Sequence, residues 1–179
     1  MPVVGRTPYR NLILTGTTGV GKTGIGRRLA ARMAGANFID LEVEIQERQG
    51  YTADQIRETF GQARLLSLES DLVEEMTLHR SSIIAVRGTT LLEPLNLEKL
   101  RETGPALCLT ADLGELLRRL HVSQGGRFHN PDVRAQIVGL LKRESAVTAL
   151  DIPQIDTTGV DIEDITAQAQ TFWLTESDI

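Results

Sequence analysis

The sequence predicts an α/β domain: a parallel sheet covered by helices on both faces. Three observations carry that reading. Short apolar runs of strand type alternate with helical stretches along the chain. One strand–loop–helix passage contains Gly16-Thr17-Thr18-Gly19-Val20-Gly21-Lys22-Thr23, which has the form G-x-x-x-x-G-K-[ST]. The residues around Gly16, Asp40 and Arg87 each follow a strand-type run, and ligands of such sheets sit at the carboxyl ends of strands.

Residues 1–10 read as an irregular lead-in, with Pro2, Gly5 and Pro8. A first strand is expected over 11–15, then the glycine-rich loop, then a helix to Ala34 that stops at Gly35. Asn37-Phe38-Ile39 reads as a second strand ending at Asp40. Residues 43–49 are expected to be helical, and Thr52-Ala53-Asp54-Gln55 fits a capping box that opens another helix to Phe60. Leu65, Leu68, Leu72 and Met76 recur at helical spacing in a longer helix running to Arg80. Ser82 to Val86 and Ala106 to Leu109 read as buried strands, with loop and helix over 91–102 between them. Helix resumes over 112–121, and Ser123 to Pro131 reads as a mobile loop. A helix over 132–149, a weak strand over 152–156, a last helix over 161–173 and a tail over 174–179 complete one domain of 179 residues.

Composition narrows the class. Hydrophobic residues at 41% are enough for a core, and no apolar run approaches membrane-spanning length. A net charge of −5 argues against a general nucleic-acid binder. Cys108 is the single cysteine, so no intrachain disulfide forms, and its apolar neighbours make it a buried hydrophobe. Met1 to Arg10 hold no apolar stretch of signal-peptide type, so a cytoplasmic location is expected.

The glycine-rich loop carries the chemistry. Glycines let successive N–H groups turn inward toward phosphate oxygens, and the helix beginning near Gly24 adds its unpaired N–H groups and positive dipole end. Gly16, Thr17, Thr18, Gly19, Val20, Gly21, Lys22, Thr23 and Gly24 are therefore the expected nucleotide-binding residues. Lys22 reaches the β- and γ-phosphates, and the Thr23 hydroxyl ligates Mg²⁺.

Phosphoryl transfer also needs a carboxylate near the metal, an acceptor pocket and positive charge at the moving phosphate. Asp40 and Glu42 alternate with Leu41 and face one way if the chain stays extended. One would order the metal's water while the other accepts a hydroxyl proton. The alternative is a solvated acidic loop or a cap on the next helix. Arg87 and Gly88 end a strand and suggest a substrate contact, with a surface turn as the alternative. Arg127, in the glycine-flanked loop, is a lid arginine in one reading and a solvated charge in the other. Arg143 follows on the next helix beside Lys142, where it is either a substrate contact or one charge of a polar face. His79, His121 and His129 show no metal-ligand spacing.

With these residues in place the chain resembles the shikimate kinases, small P-loop kinases of the nucleoside-monophosphate-kinase type, over about Asn11 to Trp173. Ile25-Gly26-Arg27-x-Leu29-Ala30 continues the loop as in that family. Phe38-Ile39-Asp40-x-Glu42 resembles its Phe-Ile-Asp-x-Asp, followed by Ile45-x-Glu47-Arg48-x-Gly50. Ile56 and Gly61 fall where its Ile-Phe and Gly do, Leu68-Glu69 match its Leu-Glu, and Ile155-Asp156-Thr157 resembles its Val-Asp-Thr near the adenine. The resemblance implies a three-layer P-loop kinase fold with a central five-stranded parallel sheet and a lid over about 122–131. It implies ATP and Mg²⁺, the metal held through Thr23 and Asp40. Lys22, Asp40, Glu42 and Arg127 would be catalytic, and Glu42, Arg87, Gly88 and Arg143 would meet the substrate. The implied activity is transfer of the ATP γ-phosphate to a hydroxyl of a small anionic metabolite, with shikimate ranked first, by a cytoplasmic monomer of aromatic amino acid biosynthesis that binds neither nucleic acid nor membrane.

The departures cluster on the acceptor side. Glu42 is one methylene longer than the family's aspartate. The family's Phe-Arg on the long helix aligns with Leu65-Leu66, and Arg64 lies about 200° round the helix from Leu66. Three glycines become Arg87-Gly88-Thr89, the lid has Arg127-Phe128 in place of Arg-Pro, and Arg143 is followed by Glu144-Ser145-Ala146-Val147 in place of x-Pro-Leu-Tyr. In one account Arg87 reaches into the pocket and replaces the lost arginine. In the other the chain is a nucleotide-binding module that serves another substrate or a regulatory role, or a slow NTPase.

Overall fold

The computed structural model describes residues 5–178. The expected lead-in therefore lies partly outside the described residues, as does the last residue of the expected tail. Five strands form one parallel sheet: β2 (Leu12–Gly16), β4 (Asn37–Asp40), β5 (Ser82–Ala85), β6 (Ala106–Thr110) and β7 (Gln154–Asp156), in the order β4-β5-β2-β6-β7. The crossovers are helical: α1 (Lys22–Arg32), α2 (Leu41–Gln49), α3 (Ala53–Phe60), α4 (Gln62–Met76), α5 (Gly88–Leu91), α6 (Pro94–Thr103), α7 (Leu113–Gln124), α8 (Pro131–Ser145) and α9 (Ile162–Ser177). Among the described residues no helix is long and apolar enough to cross a membrane.

Strand alternation sorts the core into two layers. Ile13, Ile84, Ala106 and Cys108 face Leu41, Ile45, Ile56, Leu65 and Leu72 of α2 to α4. Leu12, Leu14, Ile83, Leu107 and Leu109 face Ile25 and Leu29 of α1, Leu116 and Leu120 of α7, and Trp173 of α9. Both faces are thus covered, as a parallel sheet requires.

The amino ends of the strands are braced by neutral polar groups. The buried Asn11 amide donates to the His79 carbonyl at 2.8 Å and to Thr103 Oγ1 at 3.1 Å, and its Oδ1 accepts from the Ser82 N–H at 3.1 Å. The Trp173 indole N–H donates to the Arg10 carbonyl at 3.0 Å.

Several sequence expectations change in detail. The lead-in contains β1 (Gly5–Arg6), paired in parallel with β3 (Met33–Ala34), which ends α1 earlier than expected. The expected tail continues as helix to Ser177. The expected mobile loop is helix to Gln124 and then a 3-10 turn, Gly125–His129, in which His121 stacks on Phe128 with ring centroids 5.0 Å apart. The capping box at Thr52 and Gln55 is present, with the Gln55 N–H donating to Thr52 Oγ1 at 3.2 Å and the Thr52 N–H to Gln55 Oε1 at 2.8 Å.

Candidate active site

The glycine-rich loop turns between β2 and α1 at the carboxyl edge of the sheet. Gly16 has φ +139°, and a Cβ there would stand 2.3 Å from the Leu109 carbonyl oxygen, so the turn admits no side chain. The Lys22 ammonium donates back to the Gly16 carbonyl at 2.9 Å and the Thr17 carbonyl at 3.1 Å. Burial lowers its pKa, and the carboxylates of Glu144, Glu42 and Asp40 oppose that shift. Among the described residues the buried Thr17 hydroxyl finds no hydrogen-bond partner. An unfilled hydroxyl, a cation and a bare glycine turn together fit a phosphate chain.

Asp40 is placed by the end of β4. Its Oδ2 accepts from Thr23 Oγ1 at 2.9 Å, while Oδ1 accepts from the Glu42 N–H at 3.0 Å and caps α2. The helix-cap reading of Asp40 is thus met, while its other oxygen engages Thr23. The premise of an extended Asp40-Leu41-Glu42 does not: α2 begins at Leu41, because Asp40 supplies a helix cap and Leu41 turns into the core at 2% exposure. Asp40 faces the loop, and Glu42 departs on the first turn of the helix toward a different space.

That space is a cavity of about 520 Å³ whose walls include Glu42, Asp54, Arg57, Gln124, Arg127 and Gln136. Glu42 is 43% exposed by area, yet the surrounding walls desolvate its carboxyl and push its pKa up, with Arg87 and Lys22 pulling it back down. Arg127 is exposed and lines the cavity from the 3-10 turn.

Arg87 does not reach into the cavity. It is 3% exposed and lies behind the wall, with Nε 3.4 Å from Glu42, Nη2 3.2 Å from Asp54 and Nε 3.6 Å from Glu144. Burial disfavours its charge, but these carboxylates and Glu69 more than offset that and raise its pKa. The charge the sequence suggested for an incoming anion is paired with the protein's own carboxylates, although among the described residues Nε and Nη1 find no hydrogen-bond partner. Gly88 faces the end of α8 rather than the cavity, since a Cβ there would meet the Glu144 carbonyl oxygen at 2.8 Å. Arg143 is exposed on α8 and is absent from the cavity walls; its neighbour Glu144 is the residue turned inward.

Four site residues escaped the sequence reading, the first being Asp54, read only as part of a capping box. Arg57 stands where the resembled family carries the phenylalanine of its Ile-Phe, and that mismatch was the available signal. It forms an ion pair with Asp54, at 3.4 Å. Glu144 carried no signal beyond its position after Arg143. Arg119, on α7, donates to the Gly19 carbonyl at 3.3 Å and the Thr157 carbonyl at 3.1 Å, tying the phosphate loop to the turn after β7.

Comparison with known proteins agrees with this geometry. A family model described as shikimate kinase matches residues 18–172. A shikimate kinase of Geobacter sulfurreducens is 33% identical over 167 residues, covering 91% of this chain and 90% of the relative. One of Pelotomaculum thermopropionicum is 34% identical over 155 residues, covering 86% and 90%. The solved structure of a shikimate kinase from Acinetobacter baumannii in complex with shikimate superposes with a TM-score of 0.78 at 24% identity, over 94% of this chain and 95% of that one. The fold and the extent of these matches agree: the chain belongs to the shikimate kinase family.

Proposed function

We propose that the protein transfers the γ-phosphate of ATP to a hydroxyl of a small anionic metabolite, with shikimate as the first acceptor. One juxtaposition carries the reading: Asp40 engages Thr23 at the end of the phosphate loop, and Glu42, two residues on, lines the cavity. In this reading the loop from Gly16 to Gly24 and Lys22 hold the phosphates. Mg²⁺, held beside them by the Thr23 hydroxyl and through water by Asp40, would supply positive charge to the transferring group. Among the described residues no three His, Cys, Asp or Glu side chains form a metal site of their own, so phosphate and water oxygens would complete the shell.

Glu42 takes the proton of the acceptor hydroxyl as its oxygen bonds to phosphorus and the bond to the ADP oxygen breaks. A carboxyl pushed above its ordinary range is a better base near neutrality than a free glutamate. Arg57 and Arg127 meet the acceptor's negative charge, and Arg87, before nucleotide binds, holds Glu42 and Asp54 in place from behind. The protein would work as a single-domain monomer in the cytoplasm, in aromatic amino acid biosynthesis, without nucleic-acid or membrane partners.

The test is ADP formation from Mg-ATP with and without shikimate, for the wild type and Lys22→Ala. A shikimate-dependent rate that falls by about 10²-fold or more in a folded variant is expected. A rate indifferent to shikimate, or an unchanged rate in Lys22→Ala, would overturn the proposal.

A further inference from the structure

Glu144 lies on the last turn of α8 and is 0% exposed. Its Oε2 accepts from the Thr18 N–H at 2.6 Å and its Oε1 from Thr18 Oγ1 at 3.0 Å. Arg87 Nε stands 3.6 Å from the same Oε1. Among the carboxylates acting on Lys22, Glu144 exerts the largest pull. The bare Cα of Gly88 is what lets the end of α8 come this close. One buried carboxylate therefore touches both halves of the site: the loop shaped for phosphates, and the arginine that holds Glu42 and Asp54.

Backbone N–H groups of such a loop attract anions, and Glu144 is the anion that engages Thr18 here. A nucleotide's terminal phosphates bring more negative charge to the same neighbourhood, and two unpaired anions in a poorly solvated site repel strongly. The carboxylate then has one other cation at hand, Arg87. That cation is shared with Glu42, 3.4 Å from the same Nε. Each step that brings Glu144 closer to Nε weakens the hold on Glu42.

We propose that Glu144 is a positioning residue coupling the two sites: nucleotide phosphate displaces it from Thr18, and the displaced carboxylate takes Arg87 over from Glu42, freeing Glu42 for the acceptor. The proposal rests on reading Gly16 to Gly24 as a nucleotide phosphate site, and not on which acceptor is used.

Calorimetric titration of the full chain with AMP, ADP and a non-hydrolysable ATP analogue, each with Mg²⁺, tests it in the wild type and in Glu144→Gln. Glutamine keeps the shape: its carbonyl can accept from the Thr18 N–H while its amide donates to the Thr18 hydroxyl, and only the charge is lost. The triphosphate analogue should bind about tenfold tighter or more in the variant, ADP less so, and AMP without change. A folded Glu144→Gln with unchanged affinity for the triphosphate, or the same change for all three nucleotides, would overturn the coupling. If Glu144→Gln does not fold, Thr18→Val removes one of the two bonds and should tighten the triphosphate a few-fold; no tightening would overturn the proposal. A wild type that binds none of the three would instead overturn the phosphate-site reading itself.

Discussion

Removing the cation behind the cavity wall should cost stability in a pH-dependent way. Arg87→Met keeps the length of the side chain and leaves Glu42, Asp54, Glu144 and Glu69 without their shared counter-charge. Glu42 and Asp54 are 43% and 45% exposed and can draw on water, so each loses little, about 0–1 kcal/mol. Glu144 is fully buried, and stranding a buried charge costs about 3–5 kcal/mol. Its two bonds from Thr18 remain, and Glu69, the weakest of Arg87's partners, keeps its bond from the Thr90 hydroxyl at 3.0 Å, which places the total near the lower end, about 3 kcal/mol at pH 7.5. For a domain of this size that is a fall in Tm of roughly 6–12 °C. The pH dependence has a definite sign. Burial holds Glu42 and Glu69 above the ordinary 4.5 in the wild type, and Arg87 opposes that shift in both. Without Arg87 both rise further. A carboxyl whose folded pKa is raised favours the folded state most at low pH, and loses that advantage as pH rises through the folded value. The deficit of the variant should therefore shrink as pH is lowered from 7.5 to 5.5. Urea denaturation followed by circular dichroism at the two pH values measures this. A loss under about 1 kcal/mol at pH 7.5, or a deficit that grows toward acid, would refute the reasoning.

Two further outcomes follow from the same geometry. Glu42→Gln should lower kcat by about 10²–10⁴-fold. The wild-type kcat/KM should fall on an acid limb set by a pKa above 4.5, since the base must be ionised to work, and a pH–rate series that shows no such limb in the wild type argues against Glu42 as the base. Trp173→Ala empties a fully buried site near the carboxyl end of α9 and breaks the bond to the Arg10 carbonyl, for a loss of about 3–5 kcal/mol in chemical denaturation.

The fold was legible wherever periodicity was strong. The runs at Ile13, Ile84 and Leu107 are the central strands, and of the spaced set on the long helix Leu65, Leu72 and Met76 are buried while Leu68 packs at the edge. Strand order was not legible from the residues, because β2 pairs with strands that begin some seventy and ninety positions later. The glycine-rich loop between β2 and α1 could be read because its pattern is local: eight consecutive residues carry it. The proposed acceptor half draws on Glu42, Asp54, Arg57, Arg87, Arg127 and Glu144 from five separate segments, and spacing says nothing about which of them meet. One position on a helix is a turn of about 100°, which is why Arg143 drew attention while Glu144 holds the loop.

The two edges of the sheet are held by different kinds of force. At the amino edge Asn11 ties three segments together through an uncharged amide, and neither acid nor dissolved salt has much purchase on such bonds. At the carboxyl edge the ties are between Arg87 and ionisable groups, two of them reached by solvent. Ionic strength then acts on this molecule as it would on a tuning fork gripped by its stem. The stem stays fixed, and the prongs, here the helices α2 and α3 that carry Glu42 and Asp54, are held less firmly as salt screens their pairs with Arg87. Turnover and substrate discrimination can respond to the ionic medium through those helices while the scaffold beneath them keeps its shape.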